Sequence, residues 1–399
     1  MAAVRIVLLG LGVAGAVARP FRAPAWLVPV ICAAVDIAAG GITVHQARRA
    51  VGPLAQPVAF LLAAVPLAVL LDRLGFFAAA AGMMSGRGSR GGGLWILAAL
   101  VTTVLNLDAA VVLLTPLYVS IARRTGRDPV ALAFQPVLLA SLASSALPVS
   151  NLTNLIAASA TGATTVGFVT HLALPSLVAT VVGWWCYRRA FTRPPPGSGV
   201  DRGADRSPGP DRRALAVGGA VVGFVLVGFV GGRSFGVAPW VVALAADVVL
   251  VTVTRWAPWR SVPWGTALVA VALGVLAAGA VAHLAVGRVI GGHGTPAVAR
   301  TVVASGVAAN AINNLPALLV ALPTLGHHTG PILWAVLAGV NMGPVLLVTG
   351  SLASLLWLDA LGRLGVGVTG RDYSRVGLRV GLPAVLAGWA VLVLVSAVT

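Results

Sequence analysis

Long apolar windows, nearly free of charge, follow one another through the whole of this 399-residue chain. There are twelve, near 2–18, 26–44, 54–72, 94–122, 129–158, 166–187, 214–231, 237–254, 264–287, 296–325, 330–357 and 380–398. A helix needs roughly 20 apolar residues to cross the hydrocarbon core of a bilayer. Lipid satisfies no free backbone group, so stretches of this length and number read as helices packed in a membrane. Composition agrees: 58% of residues are hydrophobic and 9% charged, and the mean hydropathy of +0.97 lies outside the range of a soluble domain. The expected fold class is an all-α, multi-pass protein of the plasma membrane.

Two windows, 94–122 and 296–325, carry Asn106, Asp108 and Asn313, Asn314, Pro316 near their centres, as a re-entrant hairpin would. Arginine placement supports this, because short cytoplasmic loops hold an excess of basic residues. With both windows as hairpins, only Arg5, Arg48, Arg49, Arg233, Arg288 and Arg300 fall outside, and the other 21 of the 27 arginines fall on the cytoplasmic side. Basic clusters on both sides of 94–122 fit a hairpin dipping in from the cytoplasm. Residues 188–213, rich in Arg, Pro and Gly, form a cytoplasmic linker with the composition of a disordered segment. It separates two halves, 1–187 and 214–399, each with five transmembrane helices and one re-entrant hairpin. An odd number of crossings inverts the second half relative to the first, the repeat logic of secondary transporters.

The net charge of +17 does not point to nucleic acid, since the arginines sit in short breaks between apolar runs and not on one wettable face. Cys32 and Cys186 lie in separate apolar segments without metal-ligand or disulfide spacing and read as packing residues. The first 18 residues can be read as a secretory leader or as a first crossing. The weakly basic start, and the apolar pattern resuming after a short Arg-flanked turn, favour the crossing. An enzyme would need a converging acid/base set. Here the histidines, His45, His171, His283, His293, His327 and His328, lie at or near segment ends, and no cofactor motif is present.

Internal repetition marks a candidate site. NLDAAVVLLTP (Asn106 to Pro116) and NNLPALLVALP (Asn313 to Pro323) align without a gap, each inside its half's hairpin. Asp36 and Asp247 likewise occupy the second crossing of each half. After each hairpin comes a span that should break at the midplane: ASSALPVSNLTNLIAAS (Ala143 to Ser159) and GVNMGPVLLVTGSLASLLW (Gly339 to Trp357). Pro148, Gly343, Pro344 and Gly350 remove or loosen backbone bonds there, and the freed groups must face protein or a wet cavity. Ser150, Asn151, Asn154, Asn341, Thr349 and Ser351 add neutral donors and acceptors beside the half-helix ends. Plainer roles stand beside this one: Asp108 or Asn314 as a helix cap, and Ser150, Asn151, Asn154, Asp36 and Asp247 as interhelical hydrogen-bonders.

Charge is scarce around these motifs. Thr301 to Leu358 and Pro129 to Tyr187 hold no Arg, Lys, Asp or Glu, and Gly91 to Ile121 holds only Asp108. Such a site suits a neutral, hydroxyl-bearing solute or a small cation, with Asp108 as the candidate proton or ion carrier.

At these motifs the chain resembles the arsenite efflux permeases, the arsenical pump membrane proteins of the ion-transporter superfamily that also holds dicarboxylate and sodium/proton carriers. LLDRLGFF (Leu70 to Phe77), LNLDAAVVLLTPL (Leu105 to Leu117), LPVSNLTNLIA (Leu147 to Ala157), NNLPALLV (Asn313 to Val320) and GPVLLVTGSLASLLWL (Gly343 to Leu358) carry the resemblance. It implies proton-coupled export of arsenite or antimonite, with Asp108, Ser150, Asn151, Asn154, Asn313, Asn314, Gly350 and Ser351 at the solute site. Two departures stand out: Leu107 separates Asn106 from Asp108 where the family has the two adjacent, and Asn341 stands where the family often has an acidic residue. The partners implied are the metalloid, membrane lipid, a second copy of the chain, and a cytosolic arsenite-stimulated ATPase on the Arg-rich loops. A carboxylate or sodium/proton carrier of the same superfamily is the alternative.

Overall fold

A computed structural model describes residues 2–19, 23–84, 92–191, 211–284, 286–325 and 330–398. Among them there is no strand, and five helical runs are long and apolar enough to cross a membrane: Val44–Arg73, Thr165–Ala190, Arg212–Phe229, Trp259–Ala280 and Gly370–Ala397. Ala2–Ala18, Leu27–Ala38, Gly92–Val104, Pro129–Leu142, Pro239–Thr254, Asn314–Leu325 and Pro331–Val345 are apolar but shorter.

Several of the short helices are the arms of hairpins. Gly92–Val104 and Leu107–Thr125 meet at Asn106, and the Tyr118 hydroxyl donates to the Leu94 carbonyl. Residues 94 and 118 are equally far from Asn106, so the arms fold back on each other; one continuous helix would hold them about 36 Å apart. The second hairpin pairs Gly294–Ile312 with Asn314–Leu325 about Asn313.

Others are halves of broken spans. Pro129–Leu142 stops after 14 residues, about 21 Å of rise and short of the roughly 30 Å core. A 3-10 turn, Pro148–Ser150, then leads into the helix Leu152–Thr161. In the second half Pro331–Met342 gives way to turns at Gly343–Val345 and Val348–Gly350, followed by Leu352–Arg363.

Backbone geometry repeats between the halves at a spacing of 200 residues. Leu147 (φ −128°, ψ 151°) matches Leu347 (φ −126°, ψ 146°), and Asn151 (φ −148°, ψ 141°) matches Ser351 (φ −144°, ψ 147°). The last crossing of each half carries a π turn near its start, Val169–Ala173 and Gly377–Gly381. These two crossings pack together with Gly183 against Ala384 and Gly388 against Pro175 and Ala179. Residue number rises along one helix as it falls along the other, so the equivalent helices are antiparallel, as inversion requires. The outer helices interleave: Pro239–Thr254 packs on Ala55–Arg73, and Trp264–Ala280 packs on Ala2–Ala18 and Leu27–Ala38.

The structure also departs from the sequence windows. The third crossing begins ten residues early with the amphipathic helix Val44–Val51, started by a capping box between Thr43 and Gln46. Its polar HQARR stretch hides it from a hydropathy reading. Phe76–Met84 is a further short helix. Arg371, Arg375 and Arg379, expected in a cytoplasmic loop, lie on the last helical run, because Thr369 and Asp372 form a capping box that starts it at Gly370. Long arginine stems can carry their charge back to the interface from there. Residues 192–210 of the linker, with Arg87, Arg90, His327 and His328, lie outside the described residues.

Candidate functional site

Both hairpin tips end on asparagines in backbone conformations that side-chain-bearing residues rarely adopt: Asn106 at φ 147°, Asn313 at φ 75°. Asn is among the residues that tolerate positive φ, because its short amide can bond locally. Asn106 Oδ1 accepts from the Asp108 N–H at 2.8 Å, and Asn313 Oδ1 from the Leu315 N–H at 3.4 Å. The first tip is therefore capped by Asn106 and not by Asp108, and at the second tip Asn313 and Asn314 share one N–H. Asp108 sits in the first turn of its helix, where the N-terminal dipole favours a negative charge, and it is half-buried with no ion pair among the described residues. Asn314 Oδ1 accepts from the Leu315 N–H at 2.9 Å.

The helix breaks are capped in the same way. Asn151 accepts from the Thr153 N–H and Ser351 from the Ala353 N–H, each at 3.2 Å. Ser150 donates to the carbonyls of Ser144 at 2.6 Å and Leu147 at 2.7 Å, and Asn154 Nδ2 donates to the same two carbonyls, both at 2.9 Å. Two side chains thus hold backbone acceptors that the missing helical turn leaves without partners.

Asn341 joins the halves. Its Oδ1 accepts from Asn151 Nδ2 at 3.0 Å and from the Thr153 hydroxyl at 2.6 Å, while its Nδ2 donates to Asn154 Oδ1 at 2.6 Å. All four side chains are buried. Four of the expected site residues are accounted for in the first half's break and its bridge: Ser150, Asn151, Asn154 and Asn341. Asn313 and Thr349 meet separately, Asn313 Nδ2 donating to the Thr349 carbonyl at 3.2 Å. Gly350 packs where a Cβ would lie 2.6 Å from Pro344 Cα and 3.0 Å from Asn310 Oδ1, so a side chain is excluded there. Each hairpin's second arm leans on the other half's capped helix, Leu107–Thr125 on Leu352–Arg363 and Asn314–Leu325 on Leu152–Thr161.

Residues that the sequence reading passed over complete the arrangement. Asn310 donates to the Gly306 and Gly343 carbonyls at 2.8 Å each, and accepts from the Leu347 N–H at 3.0 Å. Its own carbonyl takes the Thr349 hydroxyl at 2.9 Å, tying the second tip to the second break. In the first half Thr103 does less, donating to the Ala143 carbonyl at 3.0 Å. Extending the gapless alignment three residues upstream of Asn106 and Asn313 sets Thr103 against Asn310, the signal that was there to be found. The Asn106 amide nitrogen and the hydroxyls of Thr102, Ser144 and Ser145 have no partner among the described residues. Asp36 and Asp247 are buried, 2% and 8% exposed, on Leu27–Ala38 and Pro239–Thr254, away from the breaks.

Four helix N-termini and four C-termini thus end inside the molecule among neutral amides and hydroxyls. Such ends offer partial charges of both signs to a solute without a fixed ion.

The model of the citrate transporter family CitMHS matches residues 2–366. The arsenical pump membrane protein of Yersinia enterocolitica is 27% identical over 92% of this chain and 93% of its own length. That of Escherichia coli K12 is 27% identical over 84% and 85%. Among solved structures, the Alcanivorax borkumensis YdaH transporter, described as having an unusual topology, superposes with a TM-score of 0.56 over 86% of each chain, at 15% identity. That likeness concerns fold alone. With the family model covering most of its length, this chain is a multi-pass membrane transporter belonging to the CitMHS family.

Proposed function

We propose that the chain exports arsenite and antimonite across the plasma membrane as a secondary transporter coupled to protons. The observation that carries this reading is the lining of the breaks: amides, hydroxyls and helix ends, with Asp108 as the one acidic or basic side chain in the stretches 91–121, 129–187 and 301–358 that hold the hairpin tips and breaks. Undissociated arsenite is neutral and carries three hydroxyls, a match for such groups. A multiply charged carboxylate ordinarily meets a cation, though helix N-termini can bind carboxylates. The relatives named as arsenical pump membrane proteins support the same solute.

A neutral solute gains nothing from the membrane potential, so concentrative export needs a coupled ion. Asp108, in the first turn of the helix that follows the first hairpin tip, is the proposed proton carrier, and the Thr103 bond to the Ala143 carbonyl ties that hairpin to the first break. The family's citrate description favours a second reading, a carboxylate carrier using the same breaks. An arsenite-sensitive bacterial host separates the two. Expression of the chain should lower intracellular arsenite, and Ser150→Ala, Asn151→Ala and Asn313→Ala should abolish that effect. Equal arsenite with and without a well-expressed chain would refute the metalloid reading.

A further inference from the structure

The two faces of the inverted repeat differ at one equivalent place. On the face that the arginine distribution assigns to the outside, a cavity of about 360 Å³ lies beside the helix Leu152–Thr161, where it packs on Ala55–Arg73, and reaches the end of Arg212–Gly231. Its rim includes exposed Gln56, Ser159 and Gly236, and it runs in past Phe60 and Leu155 to buried Pro148, two residues from Ser150.

The equivalent place on the inner face follows from the 200-residue spacing of the two breaks. Ser159 corresponds to Asp359 on Leu352–Arg363, and the end of Arg212–Gly231 corresponds to the end of Ala2–Ala18. There the gap is bridged, Arg19 Nη1 donating to Asp359 Oδ2 at 2.8 Å. Arg19 follows the last turn of its helix at φ 45°, the left-handed conformation that ends many helices and turns the chain aside. Both side chains are partly exposed, at 30% and 48%. The pair links an outer helix of the first half to the broken span of the second.

We propose that Arg19 and Asp359 form an inner gate, a charge latch that holds the cytoplasmic route closed while the cavity at Ser159 gives access from outside. In the inward-open state the two helices separate, the latch breaks, and the outer cavity closes around Pro148. An exposed ion pair is weak, so the latch biases the balance of states by about two- to five-fold and does not lock it. Salt should weaken it further by screening.

The test needs no solute, so its failure is distinct from failure of the arsenical reading. In a full-length chain with Cys32→Ala and Cys186→Ala, single reporters Leu155→Cys and Leu355→Cys occupy equivalent positions on the two faces. Each is labelled with a membrane-impermeant maleimide, in right-side-out vesicles for the first and inverted vesicles for the second. Neutralising either partner, by Arg19→Ala or the near-isosteric Asp359→Asn, should slow labelling at Leu155→Cys and speed it at Leu355→Cys by about two- to five-fold. The charge exchange Arg19→Asp with Asp359→Arg should return both rates to their starting values. Unchanged rates in the single variants would overturn the latch, as would changed rates that the exchange fails to restore.

Discussion

One side chain, Asn341, satisfies three buried polar groups of the other half, on Asn151, Thr153 and Asn154. Each buried group left unpaired costs about 1–3 kcal/mol. Asn341→Ala should therefore destabilise the detergent-solubilised protein by at least about 2 kcal/mol, read as a lower melting temperature. Asn341→Asp keeps the acceptor for Asn151 and Thr153 but loses the donor to Asn154, and its melting temperature should lie between the other two. At this scale the sequence was partly legible. Ser150, Asn151 and Asn154 stand out because polar residues are costly inside an apolar window. Their bridge to Asn341 does not, since a hydrogen bond across about 190 positions leaves no local pattern. Thr153 and Asn310 were missed for a related reason: each looks like an ordinary polar residue until the backbone it holds is known.

At the scale of elements, glycine sets how closely the second hairpin approaches its broken helix. Gly339 and Gly343 lie four apart on one side of the contact and Gly306 on the other. A Cβ on Gly343 would sit 2.7 Å from Gly306 Cα, and one on Gly339 would sit 2.6 Å from the Val302 carbonyl oxygen. Small residues at this spacing let helix backbones meet in lipid. Backbone cannot swing away as a side chain can, so Gly343→Ala should cost about 1–3 kcal/mol. It should also loosen the Asn310 bonds to Gly343 and Leu347, seen as faster proteolysis near 343–350 in the solubilised protein. The hairpins and breaks were legible because Asn, Pro and Gly interrupt the apolar windows where the structure turns. The amphipathic start Val44–Val51 and the early start of the last helix at Gly370 were not, since hydropathy reports lipid contact and is blind to a polar helical turn.

The whole molecule is built from two halves of opposite orientation. The antiparallel packing of Thr165–Ala190 against Gly370–Ala397 is the structural form of that statement. With ten crossings and two hairpins the two ends of this sequence fall on one side, which the arginine distribution assigns to the outside. An alkaline phosphatase fusion after Thr399 should be active, and a fluorescent-protein fusion at the same position dark. The reverse pattern would overturn the orientation and with it the assignment of the cavity at Ser159 to the outer face. The order of segments was readable from window lengths and arginines. The interleaving of the outer helices was not, because lipid-facing and helix-facing apolar residues have the same composition.

Flux into proteoliposomes tests the identity of the solute without a host's own metabolism. With the purified chain and an imposed proton gradient, arsenite should accumulate above its equilibrium level, and Asp108→Asn should reduce this to equilibration. Citrate flux without arsenite flux would refute arsenite as the solute and assign these uncharged breaks to a carboxylate.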